Sequence, residues 1–143
     1  MNTNEKGAIG LIEVIRDLTK KGYECFTPLH DYSAVDLIVL DRNHVPVKLQ
    51  IKYREFKDDI IDIGFSTVVN GKKVPIDLSA IDGWAIYIPD VDAVCYIPKS
   101  DIPPGAKGTR IRKTPGSKTI NIDKKAIIVY KQLLNEEKIW KGG

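Results

Sequence analysis

No run in this chain approaches the roughly 20 consecutive apolar residues that a membrane-spanning helix needs. No basic-then-apolar leader opens it either. Asn2 to Lys6 lead straight into a helical pattern, so no secretory signal and a cytoplasmic location are expected. Cysteine is scarce: Cys25 and Cys95 are the only two, and neither sits in a ligand-spaced motif. That excludes a disulfide framework, gives zinc no support, and suits core or strand thiols in a reducing compartment. Charge of one sign is also lacking, because the formal net charge is only +3 and does not announce a nucleic-acid binder. Repeats, low-complexity segments and linkers are absent, so a single domain over residues 1–143 is expected, with 43% hydrophobic residues to build its core.

What is present is concentrated between Val35 and Arg54. The run V-D-L-I-V-L is β-branched and apolar, with Asp36 near its start. A polar tetrad, Asp41 to His44, supplies a turn. The run V-P-V-K-L-Q-I-K-Y-R then alternates: Val47, Leu49 and Ile51 fall on one face, and Lys48, Gln50 and Lys52 on the other. The pattern predicts a β-hairpin that brings an acid, an amide and an ammonium to one sheet face. A hard cation such as Mg2+ wants oxygen ligands and keeps several waters. Asp36 offers a charged oxygen, Gln50 its amide oxygen and Ile51 a backbone carbonyl, while Lys52 can align a water or hold a phosphate oxygen. Such a set suits metal-assisted hydrolysis of a phosphodiester. The plainer account is a half-buried strand with a capping Asp and solvated Gln and Lys, and for a pattern this short that account is the default.

The order helix, Asp strand, turn, Q-x-K strand adds context. Together with K-G-A-I-G at Lys6 to Gly10, L-Q-I-K-Y-R at Leu49 to Arg54 and A-I-Y-I-P-D-V-D-A-V-C-Y-I-P from Ala85 to Pro98, it resembles the PD-(D/E)XK nuclease superfamily, in the variant with Gln before x-Lys. The likeness is to its small branch that includes group I intron homing endonucleases. The resemblance implies an α/β, restriction-endonuclease-like core: a mixed central β-sheet flanked by N-terminal and C-terminal helices. It implies a Mg2+-dependent, site-specific endonuclease on double-stranded DNA, with Mn2+ substituting. Asp36, Gln50 and Lys52 would be catalytic, and Asp36, Gln50 and the Ile51 carbonyl would hold the metal. Cutting both strands requires at least a homodimer, and the resemblance permits a tetramer. A structure-specific junction nuclease shares the same core.

One position departs from the pattern. Relatives with K-G-x-I-G usually follow it with a Glu that points into the metal site, and here that position is Leu11. Glu13 is no replacement, being about 200° further around the helix. Glu5 lies in the first turn, where a carboxylate also favours the helix dipole. Either Asp36, Gln50 and Lys52 suffice, or the chain is a DNA-binding protein on a disabled nuclease fold.

The rest of the chain frames this centre. Asn4 or Thr3 is expected to cap a helix that stops at Gly22, with Ala8, Leu11, Ile12, Ile15 and Leu18 as its buried stripe. Tyr23 to Thr27 predicts a strand, and His30 sits in the loop after it. Ile60 to Val69 and Lys72 to Leu78 flank Asn70-Gly71, a type I′ hairpin signal, with Pro75 marking an edge. A two-stranded ribbon fits the major groove of duplex DNA, so Ser66, Thr67, Asn70, Lys72 and Lys73 are candidate DNA contacts, as are Arg54 and Lys57 beside the Q-x-K strand. Lys99 to Lys125 carries eight basic residues against two acids, a local excess of +6. Lys107, Arg110, Arg112 and Lys113 in that run are further candidates, although a solvated basic face is the default for such a stretch. Trp84 to Ile88 and Ala93 to Ile97 predict core strands. Asp123 begins a last amphipathic helix through Leu134.

Overall fold

The computed structural model describes residues 1–30, 33–102 and 105–112. Helix α1 (Thr3–Lys20) opens the fold. Its cap is Asn2 rather than Thr3 or Asn4: the Asn2 side chain accepts from the Glu5 N–H at 2.9 Å, and the Glu5 carboxylate accepts from the Asn2 N–H at 3.3 Å. This reciprocal box satisfies two otherwise orphaned donors and holds Glu5 at the helix entrance. Gly22, at φ +88°, turns the chain out of the helix.

The buried stripe of α1 is rotated from the expected one. Val14 and Leu18 are wholly buried, Leu11 and Ile15 only partly, while Ala8 lies in solvent and Ile12 is 61% exposed. The cause is Gly10, one turn before Val14. A β-carbon there would lie 3.4 Å from the Tyr53 β-carbon and 3.6 Å from the Lys52 carbonyl oxygen, so the helix backbone rests directly on the sheet at that point. Apolar periodicity overlooks a stripe whose first member has no side chain.

Strands β1 (Glu24–Phe26), β2 (Leu37–Leu40) and β3 (Pro46–Tyr53) follow the helix. The β2–β3 turn is fixed by Asp41, whose buried carboxylate accepts from the N–H groups of Asn43 at 2.8 Å and Val45 at 2.9 Å. His44 takes a left-handed conformation to close it. Next come β4 (Ile60–Gly64), β5 (Ser66–Val69), β6 (Lys72–Pro75), β7 (Gly83–Ile88), β8 (Ala93–Pro98) and β9 (Gly108–Arg112). The central sheet has the order β1-β2-β3-β7-β8. Its β3–β7 pair is parallel and its other pairs antiparallel, so the sheet is mixed.

Each face of this sheet has its own core. Leu37, Val39, Val47, Leu49, Ala85, Tyr87 and Tyr96 pack under α1. Trp84, Ile86, Ile88, Cys95 and Ile97 pack on the other face against Ile61, Ile63, Phe65 and Ile111. Coverage on both sides explains why β7 and β8 read as continuous apolar runs rather than alternating ones.

The hairpin expected over residues 60–78 is shorter than the sequence suggests. β5 and β6 do pair around Asn70-Gly71, both at positive φ as a type I′ turn requires. β4, however, leaves that ribbon and pairs with β9. The break falls where Gly64 faces Gly108; a β-carbon on Gly108 would come within 2.6 Å of the Ile63 carbonyl oxygen. Phe65, directly after it, turns inward onto Trp84. The predicted C-terminal helix, with Asp123 and Leu134, lies outside the described residues.

Candidate active site

β2 and β3 pair only as far as Leu37 and Leu49, so beyond that point β3 continues with β7 alone beside it. The N–H groups on its open side need partners. Asp36, one residue before β2, supplies one. Its backbone N–H donates to the Leu49 carbonyl at 2.9 Å, and its carboxylate accepts from the Ile51 N–H at 2.8 Å. This clamps a negative charge onto β3 between Gln50 and Lys52. Leu37 and Leu49 both face α1, and strand alternation turns Gln50 to the opposite side of the sheet, toward Trp84, while Asp36 reaches across the open edge of β3.

Asp36 and Ile51 line an open cleft of about 400 Å³ whose other walls include Gly7, Leu11, His30 and Val35. Leu11 therefore contributes a hydrocarbon side chain to the cleft that Asp36 lines. A neighbouring cleft of about 520 Å³ contains Lys6, Lys52, Arg54 and Lys57, and shares Gly7 and Ile51 with the first. The two glycines of K-G-A-I-G are placed differently: Gly10 seats the helix on β3, and Gly7 lines both clefts.

The Lys52 ammonium feels this environment. Its pKa is lowered chiefly by burial and then by the Arg54 charge, with Asp36 raising it and Lys73 lowering it further. The Asp36 carboxylate and a ribbon lysine therefore act on Lys52 in opposite directions. Burial also lowers the pKa of Arg54, whose guanidinium donates to the Tyr53 carbonyl at 2.8 Å.

Gln50 is placed differently from the other two. It is 6% exposed, and its Oε1 accepts from the Trp84 indole N–H at 3.1 Å. One of the two lone pairs on that oxygen is thereby engaged. Trp84, which sequence reasoning saw only as core, is thus a direct neighbour of the site. No local signal pointed to it, because the contact spans the non-local parallel β3–β7 pairing. Lys6 was also missed as a site neighbour. It pairs with Glu55 at 3.3 Å and lies over the Tyr53 ring.

The candidate DNA contacts separate into groups. Asn70, Lys72 and Lys73 are exposed on the ribbon, and Ser66 at its base is half-buried. Thr67 lies in β5 opposite Val74. Lys57 is exposed beside the Lys52 cleft. Lys73 and Lys107 line a third cleft, of about 480 Å³, between the ribbon and the β9 approach. Arg110 donates to the Asp62 carboxylate across the β4–β9 pair at 2.8 Å. Arg112 belongs to β9, and Lys113 lies outside the described residues.

A family model described as PD-(D/E)XK endonuclease matches residues 1–128. The chain belongs to the PD-(D/E)XK endonuclease family. Among solved structures, the bacterial homing endonuclease I-Ssp6803I is similar at a TM-score of 0.66 and 13% identity, covering 96% of this chain and 99% of that one. A Holliday junction resolvase, Hjc of the archaeal hyperthermophile Archaeoglobus fulgidus, reaches a TM-score of 0.49 at 11% identity, covering 76% of this chain and 84% of that one. No curated protein matches. The restriction-endonuclease-like fold expected from the sequence is therefore the fold of this PD-(D/E)XK chain.

Members of the family typically use divalent metal ions. Among the described residues, no three His, Cys, Asp or Glu side chains converge. The donors at the open side of β3 are the Asp36 carboxylate and the neutral Ile51 carbonyl, while Gln50 Oε1 is turned to Trp84 of β7. Such a set fits a hard cation that keeps its waters and takes further oxygens from a bound phosphate. No helix among the described residues is long and apolar enough to cross a membrane.

Proposed function

We propose that this chain is a Mg2+-dependent, site-specific endonuclease acting on double-stranded DNA from a single nuclease domain. The observation that carries the proposal is the Asp36 carboxylate clamped on the Ile51 N–H at the open side of β3, with Lys52 next along the strand. Asp36, the Ile51 carbonyl and the remaining lone pair of Gln50 Oε1 would hold the ion. When bound, the ion polarises the phosphate and lowers the pKa of a water. Lys52 orients the attacking water and offsets the charge that builds on the phosphate oxygens, an effect typically worth about 10²–10³ in rate. Arg54 and Lys57 hold the backbone beside the scissile bond. The β5–β6 ribbon enters the major groove with Asn70, Lys72 and Lys73 at its tip. Ser66, Thr67, Lys107, Arg110, Arg112 and Lys113 extend the contact along the backbone. One site cuts one strand, so a duplex break needs two chains about a two-fold axis.

The test is incubation with linear duplex and with four-way junctions in Mg2+ or Mn2+, using the native chain and Asp36→Ala. Cleavage of duplex by the native chain alone supports the proposal. Cleavage confined to junctions would reassign the substrate. Leu11 favours a second reading, a DNA-binding protein disabled for cutting. That reading predicts duplex binding without cleavage, and cleavage appearing in Leu11→Glu.

A further inference from the structure

Packing alone does not explain the surroundings of Trp84. Its indole is wholly buried and stacks on Phe65, with centroids 4.4 Å apart and 22° between the ring planes. Its N–H meets Gln50 Oε1 at 3.1 Å, and the two residues are side by side in the parallel β3–β7 ladder. A primary amide has two flips of nearly the same shape that exchange oxygen for nitrogen. An indole N–H only donates, so it selects the flip that turns the oxygen toward it. Phe65, on the other side of the indole, anchors the base of the ribbon: its N–H donates to the Lys107 carbonyl at 3.1 Å, and its carbonyl accepts from the Ile76 N–H at 3.2 Å.

We infer that Trp84 is a positioning residue: its indole N–H holds the Gln50 amide in one flip, and the Phe65 stack ties that setting to the base of the β5–β6 ribbon. The inference rests on the cleavage function proposed above. It has a consequence specific to glutamine. A carboxylate carries two equivalent oxygens and needs no donor to choose between them. Trp84 therefore matters while residue 50 is Gln and loses its importance when residue 50 is Glu.

Four full-length chains test this: the native protein, Trp84→Phe, Gln50→Glu and the double variant. Phenylalanine keeps a ring on Phe65 and removes the N–H. Trp84→Phe is expected to lower kcat about tenfold, the scale of one lost hydrogen bond, with KM for duplex within about twofold. In the Gln50→Glu background, the same change should alter kcat by less than about twofold. Equal losses in both backgrounds would make Trp84 merely structural and overturn the inference. A second measurement needs neither cleavage nor a Trp84 variant. The Trp84 indole proton, assigned by comparison with Trp140→Phe, should exchange slowly in the native protein and quickly in Gln50→Leu. Exchange indifferent to Gln50→Leu overturns the inference. Inert chains whose indole proton still answers to Gln50→Leu would support the orienting contact and count against the cleavage function.

Discussion

Replacing Lys52 with Met separates catalysis from folding at one position. The methionine side chain keeps the unbranched stem and removes only the ammonium. In the fold that ammonium is half-buried, and burial together with Arg54 and Lys73 disfavours its charged form more than Asp36 favours it. A charge held against desolvation and like charges costs stability, so its removal should leave the fold unharmed or stabilise it by about 0.5–1 kcal/mol. For a chain of this size that is an increase of roughly 2–4 °C in Tm. Catalysis should move the other way, with a loss of about 10²–10³ in kcat if Lys52 stabilises the transition state. Duplex affinity should barely change, since one phosphate contact among many disappears. Calorimetry, a plasmid-nicking time course and a binding titration on the same preparation read all three quantities. A melting temperature that falls in step with activity would refute the reasoning and make Lys52 a structural residue.

Leu11→Glu should bring a second carboxylate to the Asp36 cleft and tighten Mn2+ binding in the absence of DNA; calorimetric titrations indistinguishable from the native chain would show that position 11 does not reach the ion. Gly10→Ala should stabilise α1 by about 0.5–1 kcal/mol, because a single methyl fits at van der Waals contact with Tyr53, whereas Gly10→Leu should lift the helix from β3 and lower both Tm and activity. Tyr87 donates to the Asp92 carboxylate at 2.9 Å, and burial followed by that bond pushes its pKa up to about 12. A raised tyrosine pKa means the native state keeps a proton that the unfolded state releases near pH 10, so this contribution is full below about pH 10 and fades between about 10 and 12. Ultraviolet titration should show a late-ionising component that is lost in Tyr87→Phe, and the same substitution should flatten the alkaline fall in stability; a late component unchanged in Tyr87→Phe would contradict this.

The central hairpin was legible because its signals are local. Alternation from Val47 to Lys52 set the faces, and Asp41 to His44 formed a turn through contacts within five residues. The Asn70-Gly71 ribbon was legible for the same reason, since both residues adopt the positive φ that the pair favours. The pairing of β4 with β9 was not legible, because it joins segments more than forty residues apart and depends on the facing glycines 64 and 108. The rotation of α1 was hidden behind Gly10, which carries no hydrophobicity to count. At the site, Asp36, Gln50 and Lys52 were visible as residue types at a spacing. Their surroundings were not: the Asp36 clamp on the Ile51 N–H and the Trp84 bond to Gln50 exist only once β2, β3 and β7 lie side by side.

The most direct measurement is to incubate the native chain and Asp36→Ala with a random duplex library in Mg2+, then sequence every new end. The account predicts paired ends at one recurring sequence from the native chain and none from Asp36→Ala. Ends scattered without preference, or an identical set from both proteins, would contradict it.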